Sequence, residues 1–202
     1  MTQGLPLRKD LLQIAEWIEP GSRVLDLGCG DGALLDHLQQ TRQVTGVGVE
    51  INDERVLGCA RRGVDVIQQN LEEGLALFSD KCFDTVVLSL TLQSVLQTEH
   101  ILREMKRVAH HGVVSFPNFG YFTHGLSLLR GRMPMSSQMP YKWYNTPNIH
   151  LCTLKDFEDL SRQLELEVEA RKTYNTEREV TWLAGWRATL ALYRFRSEPG
   201  QA

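Results

Sequence analysis

The sequence predicts a doubly wound α/β fold built on a mostly parallel sheet, and three features carry that expectation. Short apolar runs alternate with segments of helical period from residue 23 to 116. The fourth run, Asp84 to Leu90, is apolar almost throughout, as a strand covered on both faces must be. The first run ends in a glycine-rich turn that opens directly into a helical pattern. Strands that alternate with helices in this way pair parallel through right-handed crossovers, and their ligands collect at the carboxyl ends of the strands.

Leu11, Ile14 and Ile18 recur at helical spacing and Pro20-Gly21 stops them, which predicts a first helix over about 8 to 18. Val24, Leu25 and Leu27 form the first strand, and Ala33, Leu34, Leu35 and Leu38 the helix after the glycines. Val44 to Val49 makes a second strand closing on Glu50. Asn52 or Asp53 then caps a helix through Val56, Leu57 and Ala60 that Gly63 ends. Val64, Val66 and Ile67 give strand three, Asp84 to Leu90 strand four, Leu96 to Val108 a helix, and Val113 to Phe116 strand five.

The rhythm then breaks. Residues 116 to 150 hold four of the seven prolines and seven of the sixteen aromatics, which predicts a folded insertion or lid at about 117–150. Thr153 with Asp156 three residues on forms a capping box for a helix striped by Leu154, Phe157, Leu160 and Leu164. Leu166 to Tyr174 and Ala188 to Phe195 supply two last strands.

With 202 residues, 42% hydrophobic and 23% charged, the chain suits a single domain over 1–202 and excludes disordered, collagen-like and coiled-coil readings. Met1 to Asp10 holds no apolar run and nowhere do eighteen apolar residues follow one another, so neither a leader nor a membrane span is expected. Cys29, Cys59, Cys82 and Cys152 include no C-x-x-C pair, which favours reduced thiols in the cytoplasm over a disulfide frame or a metal site. The net charge of −3 gives no general pull toward nucleic acid or lipid. Yet from Met105 to Lys155 there is no Asp or Glu, and Lys106, Arg107, Arg130, Arg132, Lys142 and Lys155 give that stretch +6.

The glycine turn carries the chemistry. In Asp26-Leu27-Gly28-Cys29-Gly30-Asp31-Gly32, glycines let backbone N–H groups approach a ligand where a Cβ would collide, and they aim a helix N-terminus at it. Asp26 narrows the choice: a carboxylate at the strand end repels a pyrophosphate and welcomes an ammonium. S-adenosylmethionine, or S-adenosylhomocysteine, carries that ammonium and no phosphate. Glu50, 22 residues after Gly28 at the end of the second strand, is placed to accept the ribose hydroxyl protons. On strand-end position, Asn70 is expected at the adenine edge and Ile51 and Leu71 at its faces, with Cys29 and Leu90 also lining the site. Asn70 alternatively caps the segment after it. An NAD-type ligand is disfavoured by Asp26 and by a third glycine one residue early for G-x-G-x-x-G.

Other residues suggest less. His110-His111 point apart on a regular element and read as a solvated loop, not a metal pair. Nothing near Cys29 argues for a reactive thiolate. Trp182 and Trp186, four apart, are expected in core or interface packing.

The run Val24 to Gly32 with Glu50 resembles motif I and its acidic partner in class I methyltransferases, which implies seven strands in the order 3-2-1-4-5-7-6 with the last but one antiparallel. Val66 to Leu71, Val114 to Gly120, Gly131 to Pro134 and above all Pro140-Tyr-Lys-Trp-Tyr-Asn-Thr-Pro-Asn-Ile-His150 resemble the MetW family of methionine biosynthesis. That resemblance implies a bacterial, cytoplasmic protein acting beside a homoserine O-acyltransferase. The family usually places Asp where this chain has Asn70, whose carbonyl still accepts from an adenine amino group.

Two functions remain open. One is methyl transfer to a small acceptor, an anionic one included, held under the insertion, with Tyr121, Tyr141, His124 and His150 as the polar candidates and no catalytic residue assigned. The other is a regulatory subunit that senses adenosylmethionine and contacts the acyltransferase, for which the aromatic, acid-free insertion is suited.

Overall fold

A computed structural model describes residues 7–176 and 178–197; residues 1–6 of the stretch searched for a leader lie outside them. The elements are α1 (Lys9–Glu16), β1 (Arg23–Leu27), α2 (Ala33–Arg42), β2 (Thr45–Glu50), α3 (Asp53–Arg62), β3 (Asp65–Gln68), β4 (Phe83–Ser89), α4 (Thr98–Val108), β5 (Ala109–Pro117), α5 (Phe122–Leu129), α6 (Leu154–Gln163), β6 (Glu167–Asn175), β7 (Arg178–Glu179), α7 (Ala184–Arg187) and β8 (Leu190–Arg196). Short 3-10 turns occupy Leu71–Glu73 and Leu92–Ser94.

The sheet runs β3-β2-β1-β4-β5-β8-β6-β7. The first five strands in that order are parallel, and β8 enters antiparallel between β5 and β6. This is the expected order with one addition. The two-residue strand β7 folds back on β6 through the pairs Tyr174↔Glu179 and Asn175↔Arg178, so eight strands replace seven. A strand that short has no hydrophobic period to read.

Apolar residues cover both faces. On one, Leu25, Leu27, Val86, Leu88 and Val114 pack with Ile101, Met105 and Phe157 from α4 and α6. On the other, Val24, Val87 and Val113 pack with Ile14, Leu34, Leu38 and Cys59 from the first three helices. Phe116, Phe157 and Tyr193 lie ring to ring with centroids 4.7–5.8 Å apart.

Local signals fix the helix ends. Of the two candidate caps for α3, Asn52 serves: its side chain accepts the Arg55 N–H at 3.1 Å. Gly63 ends that helix at φ +73°. The Thr153–Asp156 capping box forms in both directions. One expectation is corrected, a second is narrowed from core or interface packing, and a third is filled in. His110 and His111 are not on a loop: pairing of Phe83 with Ala109 starts β5 early and draws both into the strand. Trp182 and Trp186 are not core, being 68% and 70% exposed. The insertion also contains α5, which has no side-chain cap and a glycine inside it, and so carried no start signal.

Candidate functional site

β1 and β2 end side by side, with Asp26 opposite Gly48 and Leu27 opposite Val49. The glycine turn folds over that edge. The carbonyl of Val49 accepts the N–H groups of both Gly28 and Cys29, at 2.8 and 3.1 Å. Gly28 and Gly30 hold φ of +69° and +61°, a left-handed backbone that a side chain would strain. A Cβ on Gly28 would also lie 2.6 Å from the Thr91 hydroxyl oxygen, whereas one on Gly30 would point into open space.

Glu50, 4% exposed, closes the turn from below. Its Oε2 accepts the Gly30 N–H at 3.0 Å and its Oε1 accepts those of Ile51 and Asn52 at 2.9 and 3.0 Å. Arg55 stands 3.7 Å from Oε2. Three backbone donors thus orient the carboxylate, and Glu50 lines the cavity beside the turn.

Asp26 is 3% exposed, and among the described residues no hydrogen bond or ion pair ends on its carboxylate. Burial first, and then the neighbouring Glu50 charge, push its pKa up to about 7, against a smaller opposing pull from Arg8. A buried carboxyl whose nearby cation, Arg8, only partly offsets burial is costly to ionise and gains from an incoming positive group.

Two cavities flank this centre. One of about 380 Å³ is lined by Gly28, Glu50, Ile51, Asn70, Leu71 and Leu90, with Gln69, Gln93 and residues 138, 141, 147 and 148 of the insertion completing it. The other, about 480 Å³, is lined by Asp26, Gly28, Cys29, Gly30 and Leu90, with Arg8 and Tyr141. Both share Gly28, Arg55, Leu90, Thr91 and Tyr141, so they meet at the turn. A further cavity of about 640 Å³ between α4 and α6 lies away from the glycines and is mostly apolar.

Nine of the ten residues singled out from the sequence therefore line one connected space; Gly32 does not. It precedes α2 at φ +79°, where a Cβ would crowd Cys59 and Val64. Cys29 contributes backbone only, since its thiol points inward against Gly48 and burial pushes its pKa far above the ordinary range. The Asn70 side-chain carbonyl accepts the Glu72 N–H at 3.1 Å, so it caps the 3-10 turn while facing the cavity. Leu90 sits at φ +51°, its N–H tied to Ser115. Non-glycine strain of this kind concentrates at functional sites.

Sequence reasoning missed Gln69, Gln93, Arg8 and Arg55, and named Tyr141 only as one of four polar candidates in the insertion. Gln69 Oε1 and Gln93 Oε1 are buried acceptors without a donor, on residues that line the smaller cavity. Gln69 adjoins Asn70 at the same strand end and was within reach; Gln93 and Tyr141 arrive through long-range folding. Of the four polar candidates, only Tyr141 lines these cavities. His124 is buried with Nδ1 3.1 Å from the Phe119 carbonyl, Tyr121 packs on it, and His150 Nε2 meets the Leu96 carbonyl at 3.1 Å.

The family model described as methionine biosynthesis protein MetW matches residues 8–195. The chain belongs to the MetW family. A bifunctional methionine biosynthesis protein MetXA/MetW of Rhodopirellula baltica is 39% identical over 175 residues, 82% of this MetW-family chain but 28% of that protein. A demethylmenaquinone methyltransferase of Bacillus cereus is 27% identical over 183 residues, covering 79% of this chain and 76% of the enzyme. Among solved structures, an S-adenosylmethionine-dependent methyltransferase from Mesorhizobium loti superposes with TM-score 0.72 at 15% identity, over 96% of this chain and all of that one. A SAM-dependent methyltransferase from Thermotoga maritima gives 0.66 at 19% identity, over 93% and 87%. At such identities the likeness establishes the fold: this MetW-family chain has the class I methyltransferase architecture. No helix among the described residues is long and apolar enough to cross a membrane.

Proposed function

We propose that this chain binds S-adenosylmethionine at the glycine turn and serves as an accessory, regulatory subunit of a homoserine O-acyltransferase in the bacterial cytoplasm. The observation that carries the binding is the buried Asp26 carboxylate, on which no hydrogen bond or ion pair ends among the described residues, on a cavity whose other half holds Glu50 and two donor-seeking amides. Adenosylmethionine supplies the complementary set: an ammonium, a ribose diol and an adenine amino group. Asp26 takes the ammonium, and Arg8, on the same cavity, suits the adjoining carboxylate. Glu50 takes a ribose hydroxyl on Oε2. Gln69, Gln93 and Asn70 surround the adenine amino group, with Ile51 and Leu71 at the ring faces and Leu90, Gly28 and Gly30 shaping the floor, while Gly32 acts only through the turn that leads into α2.

Residues 117–150 act as the lid of one folded unit spanning 1–202. Gln138, Tyr141, Pro147 and Asn148 lining the nucleoside cavity support that reading. The partner is supported by the Rhodopirellula baltica protein, whose printed name joins MetXA and MetW in one chain. Co-purification with the acyltransferase, and a change in its turnover when this chain and adenosylmethionine are added, test the reading. If acyltransferase activity is indifferent to both, the accessory role is wrong.

A second reading, methyl transfer to a small acceptor, is favoured by Tyr141, a hydroxyl-bearing residue that lines both cavities. Proximity alone accounts for much of such a reaction. Turnover of labelled adenosylmethionine with no partner present would favour this reading over the first.

A further inference from the structure

Three of the four tryptophans lie at the surface: Trp143, Trp182 and Trp186 are 72%, 68% and 70% exposed. Tryptophan carries a large apolar area that favours burial, so such exposure calls for a reason. Trp182 and Trp186 belong to the turn around α7, and that turn is firmly held. Asn118, fully buried, donates from Nδ2 to the carbonyls of Gly185 and Ala188 at 2.9 and 2.7 Å. Its Oδ1 accepts the Gly120 N–H at 3.0 Å, and its own N–H donates to the Thr189 carbonyl at 2.9 Å. Asn175 Nδ2 donates to the Arg187 carbonyl at 2.9 Å.

The same turn is strained. Leu183 adopts φ +49°, a left-handed backbone rarely taken by a branched side chain, and is itself 51% exposed. The Arg187 guanidinium lies 5.6 Å over the Trp182 ring. Strain and buried hydrogen bonds thus serve to present apolar and cationic groups to water. That combination marks a preorganised recognition surface, since Trp and Arg dominate binding hot spots. Leu190 pairs with Pro117, which puts α7 at the carboxyl end of β5, the sheet edge that carries the nucleoside cavity.

We propose that Trp182, Leu183, Trp186 and Arg187 form the ledge on which the homoserine O-acyltransferase docks, through an apolar recess edged by carboxylates. This rests on the accessory-subunit reading above. The occupant is argued from the Rhodopirellula baltica protein, whose name joins MetXA and MetW; the carboxylate edge is argued from this side alone, where among the described residues Arg187 and Arg178 have no ion-pair partner and the stretch from Met105 to Lys155 has no acid of its own. In the MetXA/MetW protein the two parts share one chain, so a tether raises the effective concentration of such a contact.

Calorimetric titration of the chain with the purified homoserine O-acyltransferase of the same organism tests the ledge. The Trp182→Ala/Trp186→Ala pair is expected to weaken binding by at least about thirtyfold and Arg187→Glu by about tenfold. Adenosylmethionine affinity and thermal midpoint should stay at the wild-type values in both. Binding by the tryptophan pair within about threefold of wild type overturns the ledge while leaving the accessory role standing. So does a wild-type dimer, seen by sedimentation, that the pair abolishes, because the ledge then belongs to a second copy. If the wild-type chain does not bind the acyltransferase, both the ledge and the accessory role fall.

Discussion

Glu50 Oε2 accepts the backbone N–H of Gly30 at 3.0 Å, so the acid at the end of the second strand holds the glycine turn of the first in its open shape. One carboxylate both builds the cavity and faces it. The consequences of changing either partner differ in kind.

Glu50→Ala strips acceptors from Gly30, Ile51 and Asn52 together with the group facing the ribose. Hydrogen bonds to a charged acceptor are worth about 1.5–3 kcal/mol each, so calorimetric melting should show a loss of a few kcal/mol overall. Adenosylhomocysteine affinity should fall by more than about tenfold. Glu50→Gln keeps an acceptor on one atom and should fall between the two. Unchanged affinity in the alanine variant would remove the ribose from this site.

Gly30→Ala and Gly28→Ala should separate binding from stability. At Gly28 the new methyl meets Thr91 at 2.6 Å and the backbone is left-handed, so the fold should lose about 1–3 kcal/mol. At Gly30 nothing of the protein lies within 4 Å of the added atom. Its strain should cost about 1 kcal/mol, and the larger effect should appear in ligand affinity, measured by titration on the folded fraction. Equal affinity losses at both positions would mean that the space over Gly30 is not ligand space.

Asp26 sets a pH dependence. Its pKa is raised from 3.8 to about 7, so between those values the folded chain keeps a proton that the unfolded chain has released. Stability of the free protein therefore declines as pH rises through that window and levels off above it. Affinity for an ammonium-bearing nucleoside should move the other way, falling by up to about tenfold per unit as pH drops below 7. Asp26→Asn should raise the melting temperature of the free protein at pH 8 while abolishing tight binding. A variant that melts lower at pH 8 would show that the charge is already compensated.

Under the proposed binding mode, Gln93 reads the base. Its Oε1 is buried without a donor, and its Nε2 donates to the Leu90 carbonyl at 2.7 Å. Gln93→Leu should cost the free protein about 1 kcal/mol through the lost bond to Leu90. It should weaken adenosylhomocysteine severalfold while leaving inosylhomocysteine, which lacks the amino group, nearly unchanged. Equal losses for the two nucleosides would place the adenine elsewhere.

Most of the sheet and half of the site were legible along the chain because they are written in local signals. The alternation of strand and helix, Asn52 and Gly63 at the ends of α3, and the Thr153–Asp156 box each act within a few residues. Asp26, the turn glycines and Glu50 sit at strand ends, and adjacent parallel strands bring such ends together. What the chain did not disclose depends on distance. β7 exists only because two residues meet β6; Gln93 reaches the cavity through a 3-10 turn, and which of the four polar candidates would join it there, Tyr141, was decided by the folding of an insertion with no period. The tryptophans show the same limit: their spacing suits a packed face, and only the clasp of Asn118 on the turn at residues 185–188, joining groups some 70 positions apart, turns them outward. Local hydrogen bonding and periodicity fixed the elements, whereas burial and the meeting of remote groups decided which side chains the solvent and the ligand would see.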